Sequence, residues 1–435
     1  MQYKLFLLVF LQNFRKELSK INGKPCATSD VALAWEDIDF RKAERHIIKL
    51  QKRIALAYSK RCFDKVTMLQ HTLIHSFYAK ALAVKIVTSN RGKLTPGIDD
   101  VICMTNDEKY QLMCMLTRRG YKALPLKRIY IPKSSGTLRP LSIPTMKDRA
   151  MQTLYKFALE PIAELTADDC SFGFRSERSA RGAIARCVDI LTDNSNMRWI
   201  LKADIRSCFD NISHKWILDN IPVDRKMFSN FLKCGYIDNG VFYETAKGVP
   251  QGGCLSTVIC NMTLDGLEKI LVNEVGTSVC MVRYADDIVI FGESKTILVQ
   301  SVLPLVSRFL AERGLELSIE KTSLFHIDTG FTFLGYKIIR EGKNITTLPT
   351  QKSIVSLLTR IDGILKGDFV FSFENICREL NQVLRGWFNY YRGIATDQSL
   401  YGVEYDIMTL LYNFNGDKRI ADFINKIFLK LDGNK

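Results

Sequence analysis

Residues 279–291 read VCMVRYADDIVIF. Two apolar runs, Val279 to Tyr284 and Ile288 to Phe291, enclose Ala285-Asp286-Asp287, the pattern of two short buried strands joined by a tight turn. Adjacent acids at such a tip repel one another, so packing gives little reason for Asp286 and Asp287; an ordinary polar turn is the other reading. A third acid shifts the balance. The run Trp199-Ile200-Leu201-Lys202-Ala203-Asp204 reads as a buried strand of the same region, and pairing within one sheet would bring Asp204 near the pair. Three carboxylates at strand ends, without His or Cys, suit Mg2+, a hard cation that prefers oxygen. Two such ions about 3.5–4 Å apart activate an attacking hydroxyl and stabilise a leaving phosphate oxygen, which points to phosphoryl or nucleotidyl transfer.

Working outward, the chain reads as helical from Trp35 to about Lys85, with no Pro or Gly between Glu36 and Gly92, and Thr95-Pro96-Gly97 breaks it. Residues 127–131 and 137–141 flank Ser134-Ser135-Gly136 as a β-hairpin with a basic face. Thr145-Met146-Lys147-Asp148 resembles a capping box opening a helix to about Glu164, and another helix covers Glu177 to Leu191. A helix is expected from Ser213, a loop at 248–253 leading into a helix up to Val275, and a helix near Lys295 to Arg313. A strand pair ends in Phe331-Thr332-Phe333-Leu334-Gly335, and beyond about residue 345 the pattern is helical, with Ile354, Leu357, Leu358, Ile361 and Leu365 on one face.

The 435 residues suffice for two or three domains, and 47% hydrophobic with 25% charged residues is the composition of a folded chain. Lys and Arg number 61 against 46 Asp and Glu, a net charge of +15. Residues 41–150 alone hold 23 Lys/Arg against 7 Asp/Glu, so the whole excess sits in one quarter of the chain. Such segregation points first at nucleic acid; a solvated basic face is the other reading. The run Leu5 to Leu11 is too short to span a bilayer and lacks a signal-peptide cleavage site after it, so it reads as a packing segment. The 12 cysteines form no C-x-x-C pair and only five histidines exist, which excludes zinc-finger spacing and a secreted disulfide framework. Reduced thiols and a cytoplasmic location are expected, without a membrane partner. The absence of G-x-x-x-x-G-K-[ST] excludes a P-loop ATPase or helicase.

Tyr284-Ala285-Asp286-Asp287 matches the Y-x-D-D box of reverse transcriptases, and DIRSCFD (204–210) matches their first catalytic block. The chain more specifically resembles bacterial group II intron-encoded reverse transcriptases. The matching stretches are YIPKSSGTLRPLSIPTMKDRAMQ (130–152), SFGFRSERSA (171–180), DIRSCFDNISH (204–214), GVPQGG (248–253) and RGWFNYYRG (385–393), in the family's order. The resemblance implies an α+β right-hand polymerase: a helical basic N-terminal extension at 1–95 that binds structured RNA, and fingers at 96–198. A palm with an RRM-like antiparallel sheet follows at 199–345, and a helical thumb or maturase-like domain at 346–435. It implies an RNA-directed DNA polymerase using two Mg2+ ions, with Mn2+ as a substitute, acting on dNTPs and an RNA template/DNA product duplex.

Residue by residue, the resemblance makes Asp204, Asp286 and Asp287 the metal-binding acids, with Ile205 as a further metal position. Phe209 falls where these polymerases place a bulky side chain against the sugar 2′ position; a core Phe is the alternative. Lys133 and Arg139 resemble the fingers residues on the incoming triphosphate, which suits bidentate Arg and compact Lys charge. Gln251 and Gly252 resemble the nucleotide-pocket loop. Lys321 resembles a lysine proposed to protonate pyrophosphate, or is a solvated lysine. Phe333, Leu334 and Gly335 resemble the primer grip, or are strand core. Arg175 resembles a template contact, and Arg392 a backbone contact in the thumb beside Trp387, Tyr390 and Tyr391, where core packing explains Trp387 equally well.

The chain departs from the pattern in ending some 40 residues beyond Gly393 without a Cys-rich endonuclease, so target cleavage is not expected. Three roles follow: copying a cognate structured non-coding RNA in antiphage defence, serving as an intron maturase, or acting as a non-catalytic RNA-binding scaffold. The intact acids weigh against the last.

Overall fold

The computed structural model describes residues 34–132, 136, 138–366, 373–413 and 418–432; the Leu5–Leu11 reading lies outside them. The strands, in chain order, are β1 (Leu126–Pro132), β2 (Leu138–Ile143), β3 (Trp199–Asp204), β4 (Tyr236–Asp238) and β5 (Val241–Tyr243). They continue with β6 (Val279–Tyr284), β7 (Asp287–Gly292), β8 (Ser323–His326), β9 (Phe331–Phe333), β10 (Tyr336–Glu341) and β11 (Asn344–Pro349). Packing divides the chain into two compact units. Of the described residues, one takes those within 34–167, 205–266 and 309–316; the other takes those within 168–204, 267–308 and 317–432.

In the first unit, the single helix expected from Trp35 to Lys85 is three helices: Phe40–Ser59, Phe63–His75 and Phe77–Ser89. The breaks fall at Arg61, whose φ is 55°, and at Ser76, which is extended at φ −63° and ψ 131°. All three pack on the helix Met146–Leu165, and one straight rod could not turn Ile54, Leu69 and Val84 onto that one partner. The first helix is capped by Asp39, which accepts from Lys42 N at 3.0 Å. It buries Ala43, Ile47, Leu50, Ile54 and Ala57 and leaves Arg41, Lys42, Arg45, Lys49, Lys52 and Arg53 exposed. The central helix begins where expected, with Asp148 N donating to Thr145 Oγ1 at 3.1 Å. It buries even Asp148, because Tyr121 Oη donates to that carboxylate at 2.5 Å and Thr145 Oγ1 at 2.8 Å. The unit's sheet runs β2-β1-β4-β5, with the expected basic hairpin β1–β2 antiparallel from Lys127 opposite Ile143 to Pro132 opposite Leu138.

In the second unit a four-stranded sheet runs β6-β7-β3-β8, every neighbour antiparallel. Ile200, Val282, Val289 and Phe291 share a core with Phe331, Phe333 and Tyr336 of a smaller sheet, β11-β10-β9, and with Phe388 of the helix Phe373–Tyr391. On the helix Gln351–Lys366 the expected face buries Leu357, Ile361 and Leu365, with Ile354 and Leu358 partly buried beside them. The stretch expected as a helix from Lys295 opens with a π-helical turn, Ile297–Val302, just before Pro304, which has no N–H to donate. Every described cysteine is a free thiol. Among the described residues no helix is long and apolar enough to cross a membrane.

Candidate active site

The antiparallel register of β3 on β7 sets Asp204 directly opposite Asp287, so the two side chains leave one face of the sheet side by side. Tyr284 pairs with Asp287 across β6–β7, leaving Ala285 and Asp286 as a two-residue turn. Asp286 is half-buried there, next to Asp287. Burial first, and then the charge of Asp286, push the Asp287 carboxyl above its ordinary pKa; Asp204 adds to this, while Lys202 and Lys321 oppose it. Lys321 Nζ lies 3.4 Å from Asp204 Oδ2, on a side chain that is 70% exposed.

Among the described residues no three His, Cys, Asp or Glu side chains form a closed metal-holding group. The expected convergence is therefore looser than a preformed cage: two acids in register and a third on the adjoining turn. This donor set, all carboxylate and crowded enough to raise Asp287, fits a hard divalent cation that shares its shell with substrate phosphate, as Mg2+ commonly does. Ile205 has a buried side chain, so its carbonyl oxygen is what it could offer.

The first unit holds a second cluster. Arg139 Nε donates to Gln251 Oε1 at 3.0 Å, and Gln251 Nε2 stands 3.4 Å from both carboxylate oxygens of Asp210. Ser142 N donates to Gln251 O at 2.9 Å, which ties the loop to β2. Gly252 has φ 122°, and a Cβ there would stand 2.9 Å from Ser142 O, so both conformation and space require glycine. Phe209 is 8% exposed, and its carbonyl accepts from Val249 N at 2.6 Å. Lys133 lies outside the described residues. Asp210 was not singled out in the sequence; its signal is the second acid of DIRSCFD, six residues after the first. Beside the cluster is a cavity of about 530 Å3 lined by Arg128, Tyr130, Ser142, Asp210, Lys247 and Gln251. Arg128 and Lys247 were likewise not singled out, since a single cation carries no pattern.

A family model for the reverse transcriptase (RNA-dependent DNA polymerase) domain matches residues 131–338. The N-terminal domain of reverse transcriptase matches 35–116, and the group II intron maturase-specific domain matches 354–412. Protein YkfC of Escherichia coli (strain K12) is 31% identical over 323 residues, covering 63% of this chain and 85% of YkfC. The chain belongs to the group II intron-like reverse transcriptases. Its fold is thus the α+β right-hand polymerase, and it is an RNA-directed DNA polymerase of a divalent-metal-dependent kind. Group II intron-encoded protein LtrA of Lactococcus lactis subsp. cremoris is 36% identical over 199 residues, 44% of this chain and 33% of LtrA, so the chain spans a third of that relative. Among solved structures, telomerase from Candida albicans aligns at 15% identity over 71% of this chain and 62% of that one, with a TM-score of 0.41.

In this reverse transcriptase the segment expected to grip a primer is the β9–β10 turn. Phe333 is 1% exposed and belongs to the core, so its side chain has no face for nucleic acid. Leu334 and Gly335 both have positive φ, 47° and 80°. Tyr390 Oη donates to Leu334 O at 2.7 Å, and Tyr391 Oη to Gly335 O at 2.9 Å. Trp387 Nε1 donates to Ser353 Oγ at 3.1 Å. The aromatic residues of RGWFNYYRG therefore hold that turn and the helices together, the packing alternative of the sequence reading. Arg392 is half-buried at the end of its helix. Arg175 is 6% exposed, with Nε donating to Ser171 Oγ at 2.9 Å; the template contact expected of it is replaced by an internal one, because its side chain has no open surface.

Proposed function

We propose that this reverse transcriptase copies a cognate structured RNA into DNA from dNTPs, with two Mg2+ ions, or Mn2+ in their place, held at Asp204, Asp286, Asp287 and the Ile205 carbonyl. The observation that carries this is the β3–β7 register, which sets Asp204 opposite Asp287 beside the Asp286 turn. Bound Mg2+ would supply Lewis acidity to the primer hydroxyl and the phosphates. The chain's own contribution is position and charge. In this reading Arg139 and Lys133 meet the triphosphate and Phe209 excludes a 2′-hydroxyl; the hydrogen bond from Arg139 to Gln251 supports the first role. Lys321, ion-paired to Asp204, balances that acid's charge, with proton donation to pyrophosphate as its alternative role, and Gly335 is the exposed residue of the primer-grip turn.

The segments 1–95, 96–198, 199–345 and 346–435 serve as RNA-binding extension, fingers, palm and thumb in this reading. Six exposed cations on the helix Phe40–Ser59 support RNA binding through phosphate. Between the two biological settings, the maturase-specific match at 354–412 favours service to an intron RNA over antiphage defence. Purified protein given Mg2+, dNTPs and a primed RNA should extend the primer, and RNA that co-purifies with it should be enriched in intron sequence. No extension on any primed RNA would remove the polymerase reading; a bound RNA without intron sequence would remove the maturase setting.

A further inference from the structure

Arg283 lies on β6, two residues before the Ala285–Asp286 turn, with its side chain 0% exposed. A guanidinium in that position costs several kcal/mol in lost hydration unless acceptors meet it. Its Nη1 donates to Ala285 O at 3.2 Å, in the turn itself. Its main chain is tied to the stretch 170–172: Arg283 N donates to Cys170 O at 2.8 Å, and Phe172 N donates to Arg283 O at 2.8 Å. Ser171 and Arg283 thus form a parallel bridge at the edge of the sheet.

One residue further, Gly173 approaches the turn so closely that a Cβ built on it would stand 2.4 Å from Ala285 N and 2.9 Å from Tyr284 C. The glycine is required by this approach and not by a positive φ. Ala285 itself has φ 56°, a left-handed conformation that costs an alanine about 1–2 kcal/mol. Such a turn persists when its surroundings impose it. Two features do so, the Arg283 guanidinium and the Gly173 backbone, and both act on the residue before Asp286.

We propose that Arg283 and Gly173 are positioning residues that fix the Ala285–Asp286 turn, so that docking of the 170–175 segment sets where the metal-binding carboxylates stand. The inference rests on Asp286 and Asp287 being those carboxylates. The same segment presents Phe174 outward, 55% exposed at φ 58°, while Arg175 closes on Ser171 inside.

The test compares Gly173→Ala, Arg283→Lys and Arg283→Met with wild type and Asp286→Asn, in the full-length protein. Mn2+ affinity is read by electron paramagnetic resonance, kcat and KM for dNTP by primer extension, and folding by thermal melting. Loss of outer-shell support to metal ligands weakens metal binding or turnover by about 10–100-fold. Gly173→Ala should show a loss of that size in Mn2+ affinity and kcat, with little change in KM and a cooperative melt. Arg283→Lys, which keeps the charge, should recover part of what Arg283→Met loses. Gly173→Ala with wild-type Mn2+ affinity and kcat overturns the proposal. If Gly173→Ala fails to melt cooperatively, a folded Arg283→Lys with unchanged Mn2+ affinity overturns it instead. Wild-type Mn2+ affinity in Asp286→Asn is a different result, which sinks the metal reading itself.

Discussion

The protein places its acidic β6–β7 hairpin and its basic β1–β2 hairpin in opposite surroundings. In β6–β7 nearly every residue is buried, the turn has two residues, and Arg283 and Gly173 hold it. In β1–β2 burial fades along the strands, from Leu126 in the core to exposed Tyr130, Ile131 and Leu138. That hairpin is tied at its base by Lys127 Nζ to Asp100 Oδ1 at 3.0 Å, and near its tip by Arg139 to Gln251. The difference follows from the charges. Crowded carboxylates must be placed before a metal arrives, and a rigid, low-dielectric seat holds them against their own repulsion. Exposed cations need no such seat, because water solvates them, and salt weakens their pairing with any anion accordingly.

The largest break in this contrast is Asp286→Ala with Asp287→Ala, which should remove dNTP incorporation by more than about 10^3-fold while leaving RNA affinity intact. Primer extension that survived the double change would take the site away from β6–β7. Next comes Arg139→Ala. Charge-assisted hydrogen bonds are worth about 1.5–3 kcal/mol, so KM for dNTP should rise about 10–100-fold, and raised salt should narrow the gap from wild type. A KM equal to wild type at low salt would exclude Arg139 from the triphosphate.

The acid beneath the basic hairpin gives a stability effect. Asp99 sits two residues after Gly97, which packs on the Thr145 backbone just past β2. Burial pushes its carboxyl up to about 6. The folded chain thus keeps a proton that the unfolded chain has lost between about pH 4 and 6. This stability is present below the unfolded value and is lost as pH rises through about 6, at roughly 1.4 kcal/mol per pKa unit. Urea unfolding should show higher stability at pH 5 than at pH 7.5, and Asp99→Asn should flatten the difference. An identical pH slope in the variant would assign it to another group. The smallest effect is expected at Lys321→Ala. An exposed ion pair is worth at most about 1 kcal/mol, so charge balance alone predicts a kcat loss of about fivefold or less. A larger loss, together with a shifted alkaline limb of the pH–rate profile, would mark Lys321 as the proton donor.

The β6–β7 hairpin was legible because its apolar runs and its two acids obey different rules, and the conflict itself is the signal. That Asp204 could come near the pair follows once both strands are recognised; its register opposite Asp287 is seen only in the structure. The breaks at Arg61 and Ser76 were not legible, since neither residue is a breaker and packing on Met146–Leu165 imposed them. Asp210 escaped because its partner Gln251 is 41 residues away. Arg175 and Phe333 carry roles only through the resemblance of their motifs, and a motif does not show the burial that decides what either side chain can touch. The looseness of the carboxylate group was equally invisible, because spacing along strands says nothing of how far apart two side chains end.

The closeness of Gly173 to Ala285 also constrains how this enzyme can be recombined with its relatives. Residues 170–175 and 283–287 lie more than a hundred positions apart, yet Gly173 has no room for a side chain at the point where they meet. A chimaera with a crossover between them inherits the two surfaces from different parents and risks a turn seated on the wrong partner. Shuffled libraries should exchange the two stretches as one cassette, even where every individual substitution looks conservative.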